Sequence, residues 1–225
     1  MNILAIDTST SLLGIGLQTD SSYFEIDTNV GLHHTENLLV EIKKICTKAD
    51  LSCADLQLIV VAKGPGSFTG LRIGMAAVKG IAFGASIPMV SIPNIDTYGW
   101  ARRWFHGTVC PVIDARKQRV YTAFYSRGER ITEYLDITPQ ELQRQCENYP
   151  QVLLTGPYGP EMMDICRMKS PSIQVDPDFG RPLTWALMQY GTELFKTRGA
   201  DNPSEGPLYI RMSEAEASLK EKQKE

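Results

Sequence analysis

A glycine-rich turn between two apolar runs is the feature that most constrains how this chain folds. Residues 56–62 are apolar except for Gln57, residues 64–74 read Gly-Pro-Gly-Ser-Phe-Thr-Gly-Leu-Arg-Ile-Gly, and residues 71–85 are again mostly apolar. This order predicts a buried parallel strand, a turn and a long helix. The N–H groups at such a helix N-terminus suit an anion, and the simpler alternative is a turn capped by Ser67 or Thr69.

The glycine spacing matches neither of the standard nucleotide-binding loops. The pattern Gly64-x-Gly66-x-x-x-Gly70 departs from the dinucleotide fingerprint by one residue and contains Pro65. It also lacks the Gly-Lys-Ser or Gly-Lys-Thr ending of a phosphate-cradling loop. The glycine turn therefore gives no sequence evidence for either kind of nucleotide site.

The helix predicted over residues 71–85 has two apolar faces at helical spacing. The first face carries the larger side chains: Leu71, Met75, Val78 and Ala82. The second consists mainly of small residues: Gly70, Gly74, Ala77, Ile81, Gly84 and Ala85. A helix packed on one sheet needs a single apolar stripe, so the second stripe predicts close approach by another helix. Both a subunit interface and a core helix buried on two sides within one chain explain this pattern.

Two further groups of residues belong to the interface interpretation. The first group comes from an amphipathic helix that starts near residue 33: Leu38, Leu39 and Ile42. The second group is Arg72 and Lys79, the charged residues of the helix over residues 71–85, two turns apart on the same side. We expect both cations to contact acidic groups of a partner at the rim of the interface.

The two halves of the chain repeat one pattern of elements. Each half begins with an apolar strand that ends in aspartate, at Asp7 and at Asp114, and continues with two strands and then alternating helices and strands. This alternation predicts an α/β architecture. We expect an N-terminal lobe with the partner-binding helices over residues 1–105, a C-terminal lobe over residues 106–212 and a charged tail over residues 213–225.

Composition narrows the class of protein. The chain has 225 residues, 43% hydrophobic and 22% charged, as in an ordinary globular protein. Its formal net charge of -3, with dispersed Lys and Arg, gives no basic stripe of the kind that binds nucleic acid unaided. Five cysteines without a Cys-x-x-Cys pair favour a reducing cytosol. No apolar run reaches the ~20 residues of a membrane span, so we expect a cytoplasmic protein without a membrane partner.

Several segments, in chain order, resemble the TsaB (YeaZ) family. They are Asp7-Thr8-Ser9-Thr10, His34-Thr35-Glu36-Asn37-Leu38-Leu39, the stretch from Gly64 to Gly74, Asp114-Ala115-Arg116 with Val120-Tyr121, and Pro207-Leu208-Tyr209-Ile210-Arg211. The resemblance implies an actin-like fold, as in sugar kinases and Hsp70, with two RNase H-like lobes and mixed sheets. It also implies a role in placing a threonylcarbamoyl group on the anticodon-adjacent adenosine of tRNAs that read codons beginning with A.

The resemblance implies partners as well. In that family the protein forms a heterodimer with TsaD, the catalytic paralogue, and TsaE, an ATPase, joins the pair. The tRNA is reached through the complex, and a homodimer stays open as the state of the chain without TsaD. We expect no cofactor on this chain alone, while ATP or ADP at the interface of the complex stays open.

The family comparison also bears on catalysis. TsaD-like proteins carry a metal-binding His-x-x-x-His motif just after the strand that follows the glycine-rich helix, and this chain has Asn94 and Tyr98 at those places. Asparagine and tyrosine replace imidazole poorly at an iron or zinc site. The resemblance therefore implies a non-catalytic subunit without a metal.

The expected nucleotide site is degenerate. Related folds hold phosphates on glycine-bearing turns after the first strand of each lobe, whereas here these turns contain no glycine: Asp7, Thr8 and Ser9 in the first, Asp114 in the second. Bulkier residues keep backbone amides away from phosphate oxygens. Asp7 is still a candidate for orienting a magnesium-bound water, and Gly156 for a remnant adenosine turn.

Three functions therefore stay open at the level of the sequence. The leading one is a non-catalytic partner subunit. The second is an enzyme of the same fold, either a nucleotide-dependent transferase or kinase, or a metalloprotease. The third is an independent homodimeric binding module.

Overall fold

The first sheet is built from the N-terminal part of the chain. The structure is a computed structural model, and it describes residues 1–159, 161–162, 172–178 and 180–211. The strands of this sheet are β1 (Ile3–Asp7), β2 (Leu12–Gln18), β3 (Tyr23–Asn29), β4 (Leu58–Ala62) and β5 (Met89–Ile92). They lie in the order β3-β2-β1-β4-β5, with β1 antiparallel to β2 and parallel to β4. The sheet is thus mixed, as expected.

Two helices and one short turn connect these strands, and a third helix leads from β5 to the second sheet. They are α1 (His34–Lys48), a 3-10 turn (Cys53–Asp55), α2 (Phe68–Ala85) and α3 (Asn94–Ala101). The side chain of Ser67 caps α2, because its Oγ accepts a hydrogen bond from the N–H of Gly70 at 3.2 Å. The simpler interpretation of the turn, a capped helix start, is therefore the one observed.

The second sheet repeats the topology of the first. Its strands are β6 (Thr108–Asp114), β7 (Val120–Thr122), β8 (Tyr125–Ser126), β9 (Glu129–Arg130), β10 (Leu135–Ile137), β11 (Val152–Thr155) and β12 (Ile173–Val175). The main order is β10-β7-β6-β11-β12, so antiparallel strands again lie on one side of the first strand and parallel strands on the other. Helix α4 (Pro139–Cys146) begins with a capping box between Thr138 and Glu141.

Two strands predicted as continuous in this half are each divided in two. The sequence predicts strands over residues 119–126 and 130–137, whereas β7 and β8 are separated by residues 123–124, and β9 and β10 by residues 131–134. The division lies opposite the middle of β6: β8 pairs with its first residues and β7 with its last. Pro111, which has no N–H to give to a ladder, lies between those two halves of β6.

Helices cover both faces of the first sheet. On one face, α1 and α2 pack against it and contribute Leu38, Ile42, Met75 and Val78 to the core. On the other face lies helix α5 (Thr184–Arg198), whose Leu187 and Met188 pack against β1, β4 and β5. In the part of the chain that the structure describes, no helix has the length and hydropathy needed to cross a bilayer.

The position of α5 corrects the predicted domain boundary. The sequence assigns residues 106–212 to the second lobe, but α5 lies on the first sheet, where Gly191 lets the helix approach Val60 closely. Conversely, α3 comes from the first half of the chain, and its Ile95 and Tyr98 pack against β6 of the second sheet. The two lobes therefore share helices, because each sheet needs an apolar cover that its own half of the chain does not supply. The predicted tail, residues 213–225, lies outside the described residues.

Two glycines of α2 allow the helix to pass the end of β1. The Oγ1 of Thr8 donates a hydrogen bond to the carbonyl oxygen of Gly70 at 2.8 Å. A Cβ added at Gly70 would overlap the carbonyl oxygen of Thr8, and one added at Gly74 would overlap Thr8 Oγ1. The glycines are thus explained by packing within the chain, and their cost in helix propensity is offset by this contact.

The contact between α2 and Thr8 gives a stability prediction with a matched control in the same helix. We expect Gly74→Ala to lower the free energy of unfolding by about 1–3 kcal/mol, because the new methyl group overlaps Thr8. We expect Gly80→Ala to raise it by up to about 1 kcal/mol, because Gly80 is exposed, has no atom within 4 Å of its Cβ position, and alanine favours helices. Denaturant unfolding of both variants measures the difference. Equal changes in the two would show that α2 does not depend on the contact with Thr8.

Candidate functional site

The outer surface of α1 and α2 is the first candidate site. Phe83 is 91% exposed and Leu39 is 58% exposed, although both are large apolar residues. The other exposed residues on the same side of α2 are small. Gly80 and Gly84 are two of them, and no atom lies within 4 Å of where a Cβ would be placed at either. We call this the helical surface, and it consists of Leu39, Val40, Ala76, Gly80, Phe83 and Gly84. Exposed apolar side chains beside small residues are typical of a helix-packing interface.

The structure corrects four positions of the predicted interface. These four residues lie within the chain's own core or against Thr8 and are not available to a partner: Leu38, Ile42, Gly70 and Gly74. Ala77 and Ile81 are half-buried, and they also pack against this core. The exposed small residues of α2 are 76, 80 and 84, so of the predicted stripe only Gly84 lies on the exposed side of the helix. The four-residue spacing that starts at Arg72 is a sequence signal that identifies the exposed side.

Arg72 is exposed but already engaged within the chain. Its guanidinium carbon lies 3.8 Å from the centre of the Phe68 ring, and its Nε donates a hydrogen bond to the hydroxyl of Tyr209 at 3.0 Å. The rings of Phe68 and Tyr209 are 4.8 Å apart. Lys79 is half-buried, and its charge is one of the causes that lower the pKa of Glu205, after the hydrogen bond and charge of Lys63. Both cations therefore act within this chain, and their contact with a partner stays a prediction.

A cleft between the two lobes is the second candidate site. It encloses about 630 Å³, which is within the usual range for small-molecule sites. It is lined by residues of the first strand-end turn, the glycine turn and the second lobe: Ser9, Thr10, Ser11, Gly31, Leu32, Gly66, Ser67, Phe68, Ile113, Asp114, Ala115, Arg116, Tyr121, Pro157, Tyr158 and Glu161. Ser9 and Asp114, two residues of the predicted nucleotide site, thus line the same cleft. Gly156 is the residue before Pro157, which also lines it. Asp7 and Thr8 are buried beneath it.

Asp7 is held by hydrogen bonds from within the chain. Its Oδ1 accepts from the N–H of Ser9 at 2.9 Å, and both carboxylate oxygens accept from Nδ2 of Asn94 at 3.2 Å. Asn94 Nδ2 also donates to Ser9 Oγ at 2.6 Å, and Asn94 Oδ1 accepts from the N–H of Gly64 at 2.8 Å. Burial raises the pKa of Asp7, and the hydrogen bonds from Ser9 and Asn94 oppose that rise. Asn94 therefore ties the first turn to the glycine turn.

Tyr98, which takes the place of the second histidine of the His-x-x-x-His motif, is also part of the core. Tyr98 is buried among the residues that join α3 to the second sheet, and burial raises the pKa of its hydroxyl. Within the described residues, no three His, Cys, Asp or Glu side chains come together as a metal site would require.

In the second turn the aspartate itself lines the cleft, whereas Asp7 of the first turn is buried. Asp114 Oδ1 accepts a hydrogen bond from the N–H of Arg116 at 2.7 Å, and its Oδ2 pairs with the Arg116 guanidinium at 3.2 Å. Arg116, Lys117 and Gln118 all have positive φ, at 61°, 53° and 55°. The turn thus folds back on its own aspartate. Gly156 has φ +90°, and a Cβ there would lie 2.9 Å from the carbonyl oxygen of Val112, so packing against β6 accounts for this glycine.

Comparison with known proteins identifies the fold. The chain is 21% identical to YeaZ from Pseudomonas aeruginosa, with a TM-score of 0.78 over 93% of this chain and 99% of that one. It is 11% identical to a ROK family protein from Streptococcus pneumoniae TIGR4, solved in complex with sucrose, with a TM-score of 0.50 over 87% of this chain and 100% of that one. These likenesses concern the fold, and they confirm the predicted actin-like architecture.

Curated sequences show a closer relation. The chain is 37% identical over 134 residues to the tRNA threonylcarbamoyladenosine biosynthesis protein TsaB of Bacillus subtilis (strain 168), covering 59% of this chain and 58% of that protein. It is 36% identical over 134 residues to the protein of the same name in Escherichia coli (strain K12), covering 57% of each. The match therefore spans a little over half the length of these relatives.

A family model covers more of the chain than these pairwise matches. The model described as TsaD, tRNA N6-adenosine threonylcarbamoyltransferase, matches residues 28–197, which is well over half of the 225 residues. That span contains α1, the glycine turn, α2 and most of the second lobe. The chain therefore belongs to the family that this model describes, and its similarity to proteins named TsaB and YeaZ confirms the resemblance found in its sequence.

Proposed function

We propose that this chain acts in the synthesis of threonylcarbamoyladenosine in tRNA, as a non-catalytic subunit paired with a TsaD-type catalytic paralogue. The name of its curated relatives, tRNA threonylcarbamoyladenosine biosynthesis protein TsaB, supports the pathway. TsaE and tRNA join through the complex in this proposal, and any ATP or ADP is held where the subunits meet.

The observation that carries the non-catalytic role is the environment of Asn94. Its carboxamide contacts Asp7, Ser9 and Gly64 at once, and it is buried. A neutral histidine at this position has a single ring N–H, so it lacks the second N–H with which the asparagine amide donates to both Asp7 and Ser9 while its oxygen accepts from Gly64. The place of a metal ligand in TsaD-type proteins is thus used here to hold two turns together.

The helical surface supports pairing with another subunit. Small residues at 76, 80 and 84 allow a second helix to come near the backbone of α2, and Phe83 offers an aromatic anchor of the kind that dominates binding energies. A homodimer uses the same chemistry, so the helical surface alone does not separate the two partners. Similarity to TsaB proteins favours the paralogue.

The helical surface gives the first functional prediction. We expect Gly80→Leu and Phe83→Ala to fold normally, since Gly80 has open space around it and Phe83 is 91% exposed. Each variant should weaken association with a TsaD-type subunit at least about tenfold, by separating the backbones or by removing the anchor. Calorimetric titration and size-exclusion co-elution measure this.

Trp104→Ala provides the matched control for those variants. Trp104 is 65% exposed and apolar, but it follows α3 and is not part of the helical surface. We expect it to bind the TsaD-type subunit as tightly as the unmodified chain. If Gly80→Leu and Phe83→Ala also keep full affinity while melting normally, the helical surface is not the interface.

The role in the pathway is tested in cells. Depletion of this chain should lower the threonylcarbamoyladenosine content of bulk tRNA, measured by mass spectrometry of nucleosides. The unmodified chain should restore the modification and the Gly80→Leu variant should not. Unchanged modification after depletion would remove the pathway assignment, whereas restoration by Gly80→Leu would remove only the assigned surface.

The enzyme alternative has one observation in its favour, the cleft that Asp114 lines. If the non-catalytic proposal is right, the purified chain does not turn over ATP and retains no stoichiometric metal, because Asn94 fills the ligand position and neither phosphate turn has a glycine. Phosphate release and elemental analysis of the purified protein check both points. Steady ATP turnover that disappears in Asp7→Ala would favour the nucleotide-dependent enzyme instead.

A further inference from the structure

The segment that follows α5 runs from the edge of the first sheet to the second lobe. It first lies beside the edge strand β5, where the N–H of Asp201 donates to the carbonyl oxygen of Met89 at 2.8 Å. The N–H of Ser91 donates to Asp201 Oδ2 at 2.6 Å. These contacts attach the beginning of the segment to the first lobe.

The segment then lies directly against the glycine turn. The N–H of Leu208 donates to the carbonyl oxygen of Lys63 at 2.7 Å, and Glu205 pairs with Lys63 Nζ at 2.6 Å. Gly64 has φ +107°, and a Cβ at this position would lie 2.8 Å from the carbonyl oxygen of Leu208. The absence of a side chain at Gly64 therefore makes room for the segment as well as for the turn.

The next side chain fixes the segment to the start of α2. The Tyr209 ring packs against the Phe68 ring at a tilt of 30° with ring centres 4.8 Å apart, and its hydroxyl accepts the hydrogen bond from Arg72 Nε. The guanidinium of Arg72 lies over the other partner, Phe68. Contacts among these three side chains therefore attach the segment to the first lobe.

Arg211 makes the attachment to the second lobe. Its Nε and one terminal nitrogen donate to the two oxygens of Asp136 in β10, at 2.8 Å and 2.7 Å. Its other terminal nitrogen donates to the carbonyl oxygen of Ala115, in the turn after β6, at 3.1 Å. A fork of this kind fixes orientation as well as distance. Arg119 shares the same carboxylate, but both Arg119 and Asp136 belong to the second lobe.

We propose that residues 205–211 form a latch that sets the spacing of the two lobes across the cleft. Phe68, against which Tyr209 packs, and Ala115, whose carbonyl oxygen accepts from Arg211, both line the cleft. Only Ile210 separates Tyr209 from Arg211, so the attachments to the two lobes are closely coupled. Helices α3 and α5 join the lobes through buried apolar contacts, whereas the contacts of the latch are half-exposed. The latch is thus a connection that opens at less cost than the two helices.

The test reads each change on the lobe opposite to it, by hydrogen exchange of the full chain followed by mass spectrometry. Tyr209→Ala alters only the first-lobe attachment, yet it should raise exchange in residues 114–122, in the second lobe, by about fivefold. Arg211→Ala should raise exchange by a similar factor in residues 64–68 and 205–209. Arg211→Lys, which keeps the charge and loses the fork, should give an intermediate increase.

Arg119→Ala is the matched control, because it removes the other arginine from the same carboxylate without touching the latch. It should leave exchange in residues 64–68 and 205–209 unchanged. Circular dichroism and melting confirm that each variant is folded, and Tyr209→Phe, which keeps the ring that packs against Phe68, should exchange less than Tyr209→Ala. The latch is disproved if the effect of Tyr209→Ala stays within residues 64–72 and 205–211, or if Arg119→Ala matches Arg211→Ala.

Discussion

The closure of the glycine turn over the end of β1 is the contact on which the rest of the structure depends. Thr8 fills the space left by Gly70 and Gly74, so α2 starts beside the first strand and covers one face of the sheet. Asn94 then joins Asp7 to the glycine turn from the next connection along the chain. One small set of side chains thus fixes the start of two helices relative to one strand.

This closure changes what the carboxyl edge of the first sheet can do. In open α/β sheets, ligands bind outside the carboxyl ends of the strands, where backbone and side-chain groups are left unpaired. Here Asp7 is paired with Ser9 and Asn94, and the carbonyl oxygen of Ser9 accepts the N–H of Ser67 at 2.7 Å. A ligand at this edge would have to replace contacts that the chain already makes. In the second turn, Asp114 is paired with Arg116 of the same turn and lines the cleft.

Local patterns predict the helices and most strands, because apolar periodicity and turn residues act over short stretches of chain. The side of α2 that turns inward is not predictable in this way, since it depends on Thr8, which lies 62 residues before Gly70. The same holds for α5, which crosses to the sheet of the other lobe, and for Arg211, which reaches Asp136. Long-range packing decides each of these, and a single sequence carries no direct signal for it.

The two faces of α2 give a physical reason to connect the helical surface with the cleft. The inner face rests on Thr8, next to Asp7, while the outer face presents Gly80 and Phe83. A rigid helix transmits a displacement from one face to the other, because packed interiors compress little. The start of the same helix holds Phe68, which lines the cleft and contacts Tyr209. A subunit that packs on α2 therefore acts on the element that also forms one wall of the cleft.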